Sequence, residues 1–115
     1  MATILVVDDE EAICRLLKRV LEKCGHRVIT CQTAAEALSA APVDLLLVDL
    51  ILPEVNGREL ADKLRERWPT LPVVLMSGYL AEQVALPDPP SSFLQKPMLP
   101  TAIVNEVERL LGPQK

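Results

Sequence analysis

Five short apolar runs of β type, kept apart by segments of helical spacing, constrain this chain more than any other feature. Residues 3–7 form a continuous apolar run that ends at Asp8, Asp9, Glu10 and Glu11. From Ile13, apolar residues at Leu16, Leu17, Val20 and Leu21 keep helical spacing over two turns. Asp9 is the expected cap of that helix, acids fill its first turn, and Gly25 closes it. Residues 26–31 read as a second strand. Thr33 with Glu36 is a capping-box signature for a small Ala-rich helix that ends before Pro42. Residues 45–48 read as a third strand, ending at Asp49. Asn56 with Glu59 repeats the capping pattern, and Leu60, Ala61, Leu64 and Trp68 line one face of the next helix. Residues 73–76 form a fourth strand that ends at Ser77.

Beyond Ser77 the pattern weakens. Residues 79–86 have room for a short helix only, because Pro87, Pro89 and Pro90 cannot continue it. Residues 92–95 read as a short fifth strand ending at Lys96. Pro100 suits a first helical turn, and Ile103, Val104, Val107, Leu110 and Leu111 make the last apolar stripe before Gly112-Pro113 stops it. Leu99 stands where Ser or Asp is the usual N-cap.

Strands apolar on both faces that alternate with amphipathic helices imply a parallel sheet covered on both sides. Right-handed crossovers then make an α/β fold, a three-layer doubly wound (βα)5 sandwich with a five-stranded parallel sheet. The 115 residues suit one domain, 1–115, with no room for a DNA-binding or catalytic companion. Chemistry in such sheets gathers at the carboxyl ends of the strands. Here those ends carry Asp8 and Asp9, Asp49, Ser77 and Lys96. Singly, each has a plain structural explanation as a helix-start acid, a strand-end acid, a turn or a loop Lys-Pro. Glu10 and Glu11 read as no more than helix-start acids.

Twelve basic against sixteen acidic residues leave a net charge of −4, and only Trp68, Tyr79 and Phe93 are aromatic. That composition argues against a nucleic-acid surface, which is basic and offers stacking platforms. No signal-peptide pattern and no membrane-length apolar run is present, so the expected location is cytoplasmic, with no membrane partner. Cys14, Cys24 and Cys31 lack CxxC spacing and read as reduced thiols in or near the core. His26 has no partner motif and reads as a structural or exposed histidine. Trp68 reads as a helix-end packing residue.

Four segments in order, VVDDE, VDLILPEVNG, VLMSGY and FLQKP, resemble the receiver domain of two-component response regulators over essentially the whole chain. The last two are as similar to receivers of hybrid sensor histidine kinases as to free-standing ones. The resemblance implies a CheY-like fold of flavodoxin-like strand order 2-1-3-4-5. It implies that Asp49 accepts a phosphoryl group from the phosphohistidine of a histidine kinase or histidine phosphotransfer protein. Asp8, Asp9, Asp49 and the backbone carbonyl of Ile51 would hold Mg2+, with Mn2+ able to substitute. Lys96 and Ser77 would meet phosphoryl oxygens, Ser77 and Phe93 would form the switch, and Lys96-Pro97 would be cis. Gly57 matches the small residue required after the acceptor loop. Output would pass to a downstream protein or attached domain through the fourth helix, fifth strand and fifth helix.

Two departures bear on function. Ile51 and Tyr79 occupy positions that tune phosphate lifetime in the family, and neither orients a water as an amide or carboxylate does. Slow self-catalysed dephosphorylation is therefore expected. The fourth helix is short, which weakens any borrowed dimer arrangement. On this reading the domain is a regulated switch and not an enzyme, although it assists its own phosphorylation and dephosphorylation. Two alternatives stand beside it. A phosphatase of the haloacid dehalogenase type also uses a strand-end Asp, but needs a second Asp where Ile51 stands. An unphosphorylated interaction module is opposed by the complete set of acids, hydroxyl and lysine.

Overall fold

In the computed structural model, which describes residues 1–79 and 83–112, the apolar runs become five strands. These are β1 (Thr3–Val7), β2 (Arg27–Cys31), β3 (Leu45–Asp49), β4 (Val73–Ser77) and β5 (Ser91–Gln95). The helices among the described residues are α1 (Glu11–Lys23), α2 (Ala34–Leu38), α3 (Gly57–Arg67) and α4 (Pro100–Leu111). The sheet is parallel throughout, in the expected order β2-β1-β3-β4-β5. The chain leaves β1 toward β2 and later returns to β3 on the other side of β1. The switch point thus lies between the ends of β1 and β3, where such sheets bind ligands.

Alternating side chains of each strand feed two cores. Ile4, Val6, Leu45, Leu47, Val74 and Met76 pack under α1 and α4 against Leu17, Leu21, Ile103 and Val107. On the other face Leu5, Val7, Leu46, Val48, Val73 and Leu75 meet Ala34, Ala37, Leu60 and Leu64 of α2 and α3. Burying each such aliphatic side chain stabilises the fold by about 1.5–3 kcal/mol. Cys14 belongs to the first core and Cys31 to the second, so the sheet separates these two buried free thiols. Cys24 is exposed at the end of α1, outside the core position expected for it.

The cap of α1 differs from expectation. Its N-cap is Glu10, not Asp9, and no side chain caps it; Asp8 Oδ1 instead accepts the Glu10 N–H at 2.9 Å. The Asp8 carboxylate closes the turn first because β1 runs one residue into it. The far end closes as a Schellman motif: Gly25 N–H donates to Glu22 O, and His26 N–H to Leu21 O. Gly25 has φ +89°, which favours glycine. For α2, Thr33 Oγ1 accepts the Glu36 N–H, while Glu36 Oε1 accepts from Thr33 and from the Gln32 N–H. Asn56 caps α3 through the Glu59 N–H at 2.9 Å. Leu99 precedes α4 with no side-chain cap and Pro100 in its first turn.

Strand β2 begins at Arg27, because His26 turns inward. Its buried imidazole accepts the Ala2 N–H at Nδ1, 3.2 Å away, and pins the N-terminus. Trp68 ends α3 and packs on the second core, with the Arg67 guanidinium over its ring. Strand β5 begins at Ser91, one residue earlier than expected.

Residues 80–82, inside the expected short helix, lie outside the described residues, as does Pro113. From Gln83 to Pro90 the chain has no α-helix. Two arginines of α3 hold this stretch by its backbone. Arg58 Nη1 donates to Ala85 O at 2.9 Å. Arg65 donates to Leu71 O, Asp88 O and Pro90 O at 3.0, 2.6 and 2.8 Å. Lys96-Pro97 is cis as expected, and Pro89-Pro90 is cis as well.

Candidate functional site

The carboxyl ends of β1, β3, β4 and β5 carry Asp8 and Asp9, Asp49, Ser77 and Lys96 to one edge of the sheet. Strand β1 runs straight into Asp8, whose N–H still pairs with Cys31 O at 3.1 Å. Its side chain is fully buried, so both oxygens need partners. Oδ1 accepts the Glu10 N–H, and Oδ2 accepts Lys96 Nζ at 2.8 Å. Burial pushes the Asp8 carboxyl above its ordinary range, against the pull of Lys96.

Asp49 ends β3 and is nearly buried. Its Oδ1 accepts the Ile51 N–H at 3.2 Å, and its Oδ2 accepts Lys96 Nζ at 3.2 Å. The loop after it is closed by an antiparallel bridge between Ile51 and Asn56 and by Gly57 N–H donating to Leu50 O at 2.6 Å. A Cβ on Gly57 would fall on the Asp49 carbonyl oxygen, so only glycine lets α3 start this close.

Burial works against the Lys96 ammonium, but Asp8 and Asp49 outweigh it and raise its pKa above the ordinary value. The lysine reaches the site from the end of β5, where its N–H donates to Ser77 O at 2.8 Å. Ser77 is buried at the end of β4, and its Oγ accepts the Tyr79 N–H at 2.9 Å. Asp9 is exposed, yet one oxygen from each of Asp8, Asp9 and Asp49 falls within 4.8 Å of the others. Three converging oxygens of this kind fit a hard divalent cation, and without one the carboxylates repel.

Ile51 and Tyr79 stand at the rim, 57% and 51% exposed. Phe93 is half-buried, pairs in register with Leu75 and packs on the second core. Glu10, by local pattern no more than a helix-start acid, places Oε1 3.5 Å from Lys96 Nζ. The run of acids was visible in the sequence, but which of them turns toward a lysine 86 positions later is set by tertiary packing.

The family model described as the response regulator receiver domain matches residues 4–108. The chain belongs to this family. The receiver is 36% identical to the response regulator receiver protein CpdR of Brucella abortus, covering 96% of this chain and 98% of that one. It is 33% identical to the alkaline phosphatase synthesis transcriptional regulatory protein PhoP of Bacillus subtilis, covering 94% of this chain but 48% of PhoP. The receiver therefore spans nearly all of one curated relative and about half of the other. Among solved structures, the receiver domain of the hybrid histidine kinase CckA superposes with a TM-score of 0.83 at 31% identity, covering 96% of this chain and 99% of that chain. CheY4 of Vibrio cholerae, at 24% identity and a TM-score of 0.86 over 96% of this chain and 99% of that one, shares the fold. The receiver is a phosphoacceptor signalling switch of the two-component type. These relatives support neither the dehalogenase-type phosphatase nor the unphosphorylated module. Among the described residues, no helix is long and apolar enough to cross a membrane.

Proposed function

We propose that Asp49 is the phosphoacceptor of this receiver. The observation that carries this is the bridge of Lys96 Nζ between Asp8 Oδ2 and Asp49 Oδ2 at the switch point of the sheet. A carboxylate approaching a phosphoryl group meets like charge, and a fixed ammonium beside it offsets that repulsion. An Asp49 oxygen attacks phosphorus, and the phosphorus–nitrogen bond of a phosphohistidine breaks. The imidazole, protonated on its other nitrogen, leaves with the bond pair as neutral histidine.

Asp8, Asp9 and Asp49, with the Ile51 carbonyl as backbone ligand, would hold Mg2+ or Mn2+. Such an ion supplies positive charge at the phosphoryl oxygens. Lys96 pairs with one of those oxygens as a point charge. Ser77 spends a lone pair on the Tyr79 N–H, which leaves its hydroxyl proton for another. Movement of Ser77 toward that oxygen draws Gly78 and Tyr79 with it, and Phe93 turns into the vacated space. Phe93 has no hydroxyl, so the switch is steric.

The donor is a histidine kinase or a histidine phosphotransfer protein. The recipient of the signal is a downstream protein or attached domain that docks on the 83–90 segment, β5 and α4, with residues 1–115 acting as one receiver unit. The free-standing relative and the hybrid-kinase receiver are both similar enough to serve as precedents for its setting. Incubation with Mg2+ and acetyl phosphate, followed by intact-mass measurement, tests the assignment. A single phosphoryl adduct that disappears in Asp49→Asn is the expected result. An adduct, or steady phosphate release, that survives in Asp49→Asn would overturn it.

A further inference from the structure

Lys96 has more carboxylates than the acceptor chemistry uses. Its ammonium has three N–H groups and faces three carboxylates: Asp8 at 2.8 Å, Asp49 at 3.2 Å and Glu10 at 3.5 Å. To bind a phosphoryl oxygen on Asp49 it must give up one of them. Asp8 is fully buried and held at both oxygens, so releasing it leaves a buried charge short of a partner. The Asp49 contact has to last until that carboxylate has attacked phosphorus, because the ammonium beside it offsets the like charge. Glu10 alone is both near and mostly in water, with its side chain 62% exposed. Its backbone is anchored by the Asp8 hydrogen bond and by the Ile13 and Cys14 N–H groups that donate to its carbonyl. Only its side chain needs to turn to release the lysine, and water solvates the freed carboxylate.

We propose that Glu10 is a positioning residue for phosphoryl transfer. Its carboxylate stays in ion-pair contact with the Lys96 ammonium at the mouth of the site until a phosphoryl oxygen takes that place, and in doing so it slows the loading of Asp49. This rests on Asp49 being the acceptor. The residue works through Lys96 and does not touch the transferred group.

Two substitutions separate this contact from mere charge. Glu10→Gln removes the charge, whereas Glu10→Asp keeps it and shortens the arm by one methylene, out of reach of Lys96. Glu10 makes no side-chain cap on α1, so both variants are expected to fold. With acetyl phosphate and Mg2+ at low ionic strength, Glu10→Gln is expected to load about fivefold faster than the parent protein. Glu10→Asp should show at least half of that gain. A second readout needs neither metal nor phosphodonor: proton exchange at the Lys96 ammonium, followed by nitrogen NMR, should quicken severalfold in both variants. Parental loading rates in both variants, or a parental rate and parental Lys96 exchange in Glu10→Asp, would overturn the proposal. Absence of any adduct on the parent protein would instead sink the assignment of Asp49, so the two failures are told apart.

Discussion

The α-carbon of Gly57 abuts the backbone carbonyl of Asp49 so closely that a methyl group has no place between them. A Cβ there would also lie 2.9 Å from the Asp49 carbonyl carbon and 3.1 Å from Leu50 Cα, all of it backbone that cannot swing aside. Gly57→Ala must therefore push the start of α3 away from the end of β3. The expected cost is about 3 kcal/mol, at the upper end for overpacking, measured by urea unfolding. Loading of Asp49 from acetyl phosphate should fall with it, because the loop that orients the carboxylate is displaced. An alanine variant of parental stability would refute this.

Arg65 replaces the support that a regular helix would give the stretch before β5. Its guanidinium serves three backbone carbonyls on two different loops. Hydrogen bonds to a charged group are worth about 1.5–3 kcal/mol, but they share one side chain here and are partly solvated. Arg65→Ala should cost about 2 kcal/mol. Amide exchange in residues 85–91 should accelerate tenfold or more, while β1 and β3 change only with global stability.

Acid stability should depend on Glu106. Burial alone would raise its pKa, but hydrogen bonds from Ser92 at 2.6 Å and from Arg109 hold it below the usual 4.5. A carboxyl lowered in the folded state adds stability above pH 4.5 that is lost as pH falls through its lowered value. Ser92→Ala should thus cost about 1 kcal/mol at pH 7 and clearly less at a pH below that lowered value. Unfolding curves at both values check this; an equal loss at both would show that the hydroxyl acts by packing alone.

Ile51 presents a bare hydrocarbon at the rim of the site, 57% exposed. Without an amide or carboxylate there, attacking water is left unoriented, and the acyl phosphate should be long-lived. Ile51→Asn is expected to shorten the phosphoryl lifetime severalfold, followed by loss of the mass adduct after the donor is removed. An unchanged lifetime would exclude a role for this position.

Much of the site is legible along the chain because sheet geometry does the assembling. An apolar run that ends on Asp8, Asp49, Ser77 or Lys96 places that residue at the carboxyl edge whatever the loops do. Thr33 with Glu36 and Asn56 with Glu59 were readable for the same local reason, since a cap involves neighbours only. The cap of α1 is not legible locally, because Asp8 and Asp9 compete for one turn and burial of Asp8 decides between them. The inward turn of His26, and the arginines that tie α3 to residues 85–90, had no local signal at all.

The sequence by itself therefore determined the layered α/β fold, its five strand ends and the acids, hydroxyl and lysine that stand there. Those depend on periodicity and on contacts a few residues long. Tertiary structure alone decided that Lys96 is shared among Asp8, Asp49 and Glu10, and how closely the start of α3 abuts the Asp49 carbonyl. Both are distances between segments brought together by packing, over which local pattern has no hold.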